Sequence, residues 1–138
     1  MVDPLETASP AAIWLDAHMI ASAEAPDEAF DWVFLLRPAD WHLLENLWPK
    51  RPAEWRDACA YIIGHGPVPP SQRLLRLALN DENDDVALQA AESLCAQMLE
   101  HPDEAPLDSS LLPRLKELNC RAPEGSMVEV DKILRRHK

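Results

Sequence analysis

At 138 residues, with 47% hydrophobic and 27% charged side chains, the chain has the size and composition of one globular domain, which argues against extended disorder. Its net charge of −11 repels nucleic acid and anionic membrane surfaces and favours encounter with a basic partner. Thirteen prolines against three glycines favour helices with proline starts over β-hairpins, whose turns need glycine.

In chain order, Ser9-Pro10 sets a capping residue before a proline at the first helical position, and a helix is expected over 10–25 with Ile13, Ala17 and Ile20 at helical spacing. Pro26, followed by Asp27 and Glu28, opens a second helix to about Leu36. Pro38 opens a third and Pro52 a fourth. The stretch "GHGPVPP", residues 64–70, reads as a loop, and Ser71 starts a fifth helix. A sixth runs from about Val86 to Leu99. Ser109 or Ser110 begins a short seventh, and an S-x-x-E capping box of Ser126 and Glu129 begins an eighth. No segment reads as a strand. The expected fold is therefore all-α, with seven or eight helices in a single domain over 1–138, paired at approximately 9–37, 38–64, 71–100 and 109–138.

Charge is unevenly distributed. Residues 1–36 hold seven acids and no Lys or Arg, and residues 77–112 hold nine acids and no base, whereas 37–76 and 113–138 are net positive. Cys59, Cys95 and Cys120 cannot all pair within the chain, and a reducing compartment fits them best. The first apolar run lacks a preceding positive residue and is broken by Asp16 and His18, so it fails as a signal peptide. No stretch approaches the roughly 20 apolar residues that span a bilayer. A soluble, cytoplasmic protein is expected.

An internal echo carries the architecture further. A shift of 32 residues lays Leu43 on Leu75, Leu47 on Leu79, Ala58 on Ala90, Cys59 on Ala91 and Ile62 on Leu94. The segment "LLRLALNDENDDVALQAAESL" resembles a HEAT repeat, with leucines on its first helix, Asp81 at the corner, Val86 five positions on, the small pair Ala90 and Ala91, and then Leu94. The resemblance implies a right-handed stack of antiparallel helix pairs, an α-solenoid, and a protein-binding surface. Ala87 stands where such repeats usually carry an Arg that reaches the corner Asp, so that tie is expected to be absent.

Asp81, Asn83, Asp85 and Glu92 also fall where an EF-hand calcium loop keeps its oxygens. The sixth position of such a loop needs a glycine, and here it is Val86, so a helix corner capped by Asp84 or Asp85 is the preferred reading. The five histidines lack H-x-x-x-H or H-E-x-x-H spacing, and His65, between two glycines, has no identifiable nucleophile beside it. Cys59 and Cys95 lie on apolar helix faces and are expected in the core. No cofactor, metal or catalytic residue is expected. All five tryptophans lie in the first 55 residues. A buried core with satisfied indole N–H groups is the leading reading for them. The sharper one makes Trp41 or Trp48 a partly exposed binding anchor.

These features lead to a non-enzymatic protein-binding module. A small, acidic, helical protein of this kind resembles the immunity proteins that bacteria keep against a cognate toxin. The resemblance implies occlusion of a basic toxin's active site by Asp81, Glu82, Asp84, Asp85 and Glu92, with Trp41 or Trp48 as anchor. A general adaptor or scaffold, and a calcium-responsive regulator using Asp81 to Glu92, are the alternatives.

Overall fold

The computed structural model describes residues 8–19 and 27–136. Among them are eight α-helices and no strand: α1 (Pro10–His18), α2 (Glu28–Trp32), α3 (Pro38–Leu47), α4 (Ala53–Ile63), α5 (Val68–Leu79), α6 (Asp84–Glu100), α7 (Leu112–Arg121) and α8 (Val128–Arg136). Single 3-10 turns follow α2 at Val33–Leu35 and α3 at Trp48–Lys50, and another at Ser109–Leu111 leads into α7. The expected continuation of the first helix through residue 25, and Pro26 as the opening of the second, lie outside the described residues.

The first helix starts as its sequence dictates. Ser9 Oγ accepts a hydrogen bond from the Ala12 amide at 3.2 Å and donates to Asp40 Oδ2 at 2.6 Å. Asp40, buried in the first turn of α3, also accepts from the amides of Arg37 (2.7 Å) and Ser9 (3.2 Å). One carboxylate therefore joins the N-termini of two helices separated by about thirty residues of chain. Burial pushes the Asp40 carboxyl up, but the Ser9 hydroxyl, the two amides and the Arg37 charge outweigh it and hold the group below the ordinary aspartate value.

The starts of α5 and α8 differ from expectation, and α7 begins at Leu112 with Ser109 in a preceding 3-10 turn. Helix α5 begins at Val68 rather than Ser71, because Pro69 and Pro70 fall in its first turn, where amides have no intrahelical acceptor and proline loses nothing. The expected loop shrinks accordingly. At α8 the capping box does not form: Ser126 Oγ donates to the Pro123 carbonyl at 2.7 Å. The free amides of Glu129 and Val130 are met instead by Glu92 of α6, at 3.0 and 3.1 Å.

Packing centres on α6, which touches α4, α5, α7 and α8. Helices α2, α4, α6 and α8 each pack on the next, and α3 packs on α5 beside that row. Close approach of α4 and α6 rests on the small residues of the internal echo, since Ala58, Cys59, Ala90 and Ala91 are all fully buried. Gly64, at the end of α4, extends the same contact: a Cβ there would lie 2.7 Å from Ser93 Oγ, which is fixed by its 3.0 Å bond to the Ala60 carbonyl. Around this seam Leu74, Leu75, Leu79, Ile62, Ile63 and Leu94 are fully buried, each contributing about 1.5–3 kcal/mol of burial free energy.

A buried amide cluster fastens the α4–α5 turn to α6. Gln97 Nε2 donates to the Gly64 carbonyl (3.0 Å) and to Ser71 Oγ (2.8 Å), while its Oε1 accepts from Gln72 Nε2 at 2.6 Å. Leaving one of these groups unpaired costs about 1–3 kcal/mol, so the cluster fixes how α6 meets the turn.

Candidate functional site

The α5–α6 corner is held from within. Asn83 Oδ1 accepts from the Val86 amide at 3.2 Å and so caps α6, one residue before the expected Asp84 or Asp85. Asp81 turns inward. Its carboxylate accepts from the Asn83 amide (2.9 Å), from Trp48 Nε1 (2.8 Å) and from Arg56 Nη2 (3.1 Å), and Arg56 Nε lies 2.9 Å away as an ion pair. With a side chain only 6% exposed, Asp81 offers no free charge to a partner.

The same clasp supplies, from another helix, the tie that Ala87 lacks. Ala87 is fully buried, and Arg56 of α4 reaches the corner Asp. From there the network continues through the Arg51 carbonyl, which accepts from Arg56 Nη1 at 2.7 Å, to a two-point pair between Arg51 and Asp16 at 2.8 and 2.9 Å. Trp55 Nε1 donates to the Asp16 carbonyl at 3.1 Å and its ring meets Trp48 edge-on. Trp48 and Trp55 thus serve as core residues whose N–H groups are satisfied at the edge, as the leading reading had it, and Trp14 and Trp32 are half-buried.

The sequence-derived site residues are therefore not brought together on one exposed surface. Trp48 is committed to Asp81, and Glu92 to the start of α8. Trp41 is buried and shows only an edge to a cleft of about 410 Å³, lined with Leu36, Pro38, Pro67 and Pro70 and bordered by a 2.6 Å Glu45–Arg73 pair. Glu82, Asp84 and Asp85 do face solvent, with Asp84 3.1 Å from Arg121. Asp57 of α4 is held above the ordinary aspartate value, by partial burial first and then by the neighbouring Asp85 charge.

Calcium chemistry has little left to use in this corner, because Asp81, Asn83 and Glu92 each spend an oxygen on another bond. Among the described residues no group of three or more His, Cys, Asp or Glu side chains is arranged to hold a metal ion. Cys59 and Cys95 lie in the core as expected. Burial pushes the Cys59 thiol up strongly, and burial with the Glu92 and Glu129 charges pushes Cys95 to about 12, so neither is a nucleophile near neutral pH. His65 is exposed, with its ring edge-on to Phe30 and Tyr61. No described helix is long and apolar enough to cross a membrane.

What the sequence reading passed over lies at the other end of α6. Phe34 and Leu35, in the 3-10 turn after α2, are 60% and 62% exposed. Phe34 borders a cleft of about 250 Å³ with His65, Gln97, Glu100, His101 and Glu104. The signal was present in "DWVFLLR", whose five successive apolar residues exceed what one side of a short helix can bury. No family model matches the sequence, and no curated protein and no solved structure matches it either.

Proposed function

We propose that this chain is a non-enzymatic protein-binding module, built as a HEAT-like stack of helix pairs, that acts as an immunity or inhibitor protein by covering the active site of a basic toxin. The observation that carries this reading is the acidic corner. Glu82, Asp84 and Asp85 point outward from a turn that Asp81 and Asn83 hold rigidly, so the charges are fixed in place before a partner arrives. The row α2, α4, α6, α8 beside α3 and α5 supports the stacked-pair architecture. A cytoplasmic setting, with the partner a secreted toxin, follows from the same reading.

The test is capture from the native cell, with intact-mass identification of the bound chain and assay of its activity with and without this protein. A basic enzyme silenced by stoichiometric binding is the expected result, and Asp84→Ser/Asp85→Ser should weaken that binding, most at low salt. A bound partner that is active and carries no basic surface replaces this reading with that of an adaptor or scaffold.

A further inference from the structure

We infer that the exposed Phe34–Leu35 pair and the acidic cleft beside it are the docking site for an amphipathic, positively charged protein segment, in which an apolar residue covers Phe34 and a Lys or Arg enters the cleft. This rests on the reading of a basic partner and gives that partner a contact distinct from the α5–α6 corner. The two lie at opposite ends of the 17-residue helix α6, about 25 Å apart at 1.5 Å per residue.

Three observations converge on the cleft. Phe34 and Leu35 are the two most exposed of the large exposed hydrophobic side chains among the described residues, and they are adjacent. Glu100 and Glu104 line the cleft beside Phe34 and make no ion pair among the described residues. Glu100 ends α6, where the unsatisfied carbonyls already carry partial negative charge, and the last turn has no basic residue to offset them. A carboxylate is unfavourable at that position for the folded chain alone. It becomes favourable once a cation arrives from outside.

Charge selects the occupant. Asp31, exposed three residues before Phe34, adds to the local negative charge, and the next basic residue in the sequence, Arg37, lies 3.7 Å from Asp40. A second copy of this chain would bring like charge to a chain already at −11, and an anionic lipid surface would be repelled. A segment that alternates apolar and basic residues at helical spacing meets both the aromatic face and the carboxylates. The anchor expected from Trp41 or Trp48 is thereby supplied by Phe34, in the acid-rich stretch 1–36.

The test uses the full chain and a synthetic helical peptide of leucine and lysine, titrated by calorimetry at low and moderate salt, with a leucine–glutamate peptide as control. The lysine peptide should bind and the glutamate peptide should not. Phe34→Ala and Leu35→Ala, made singly, should each weaken binding about tenfold at both salt concentrations. Glu100→Gln/Glu104→Gln should weaken it by a similar factor at low salt only. Glu54→Gln/Glu124→Gln removes the same number of charges at exposed positions outside both surfaces and should leave binding within about twofold. The inference is overturned by no binding of the lysine peptide, by equal losses from the two charge-removing variants, or by Phe34→Ala and Leu35→Ala without effect. It is also overturned if Phe34→Ala abolishes self-association seen in ultracentrifugation, or abolishes binding to phosphatidylcholine vesicles. A native basic partner still captured by the Phe34→Ala chain at full affinity would sink this surface while leaving the reading of a basic partner intact.

Discussion

At its N-terminal end α6 carries Asp84 and Asp85, where the helix dipole favours negative charge; at its C-terminal end it carries Glu100, with Glu104 just beyond, where the dipole opposes it. At the first end the neighbouring Asp81 and Asn83 are held in hydrogen bonds of their own and Asp84 meets Arg121. At the second, neither glutamate has an ionic partner among the described residues. The same letter in the sequence thus has opposite cost at the two ends. Acids that help to fold a helix are weak evidence for a ligand, whereas acids that oppose it need another explanation.

The comparison breaks most visibly at Asp81. Asp81→Ala strands the Arg56 guanidinium and the Trp48 N–H in a nearly closed site, and should cost about 3–5 kcal/mol, lowering the melting temperature by about 10–20 °C. A drop of only a degree or two would mean that the corner is no more tightly built than the far end. A smaller loss is expected at Glu92, midway along the helix. Glu92→Gln should cost about 1 kcal/mol and speed hydrogen exchange at the Glu129 and Val130 amides before those of α5, and uniform acceleration would contradict its role as a cap for α8.

Charge reversal sharpens the contrast directly. Glu100→Lys should stabilise the protein and Asp84→Lys destabilise it, each by about 0.5–1 kcal/mol in thermal melts at low salt, and shifts of the same sign would remove the distinction between the ends. The smallest effect belongs to Asp57, whose folded-state value is raised by burial and by Asp85. For such a carboxyl the proton is held more tightly in the folded chain, so ionisation costs stability as pH rises through the raised value. Asp57→Asn should therefore add about 0.5 kcal/mol at neutral pH, a gain that fades as pH falls through the raised value and is gone below about pH 4, where the carboxyl is protonated in both states. An unchanged gain in acid would show that the benefit is not electrostatic.

Most helices were legible because their signals are local: Ser9 before Pro10, the proline starts of α3 and α4, and the alanine pair of α6. Burial of Cys59, Cys95, Trp41, Trp48 and Trp55 followed from the same apolar faces. The candidate site was less legible, for a physical reason. Whether an acid is free depends on what a distant segment brings to it, and Asp81 is claimed by Trp48 and Arg56, while Glu92 is claimed by amides nearly forty residues away. The apolar excess of "DWVFLLR" was readable, but which of its residues would be left outside is decided by α4 and the α4–α5 turn, where Val33 lies against Gly66.

The cap that α6 lends to α8 also sets an order of events. A nine-residue helix whose own serine is spent on Pro123 is too short to persist alone in water, so α8 acquires its starting point only after α6 has formed. During synthesis α6 emerges first, and its carboxylate is ready when residues 129 and 130 follow. The end of this chain becomes a helix on a template that the earlier part has already built.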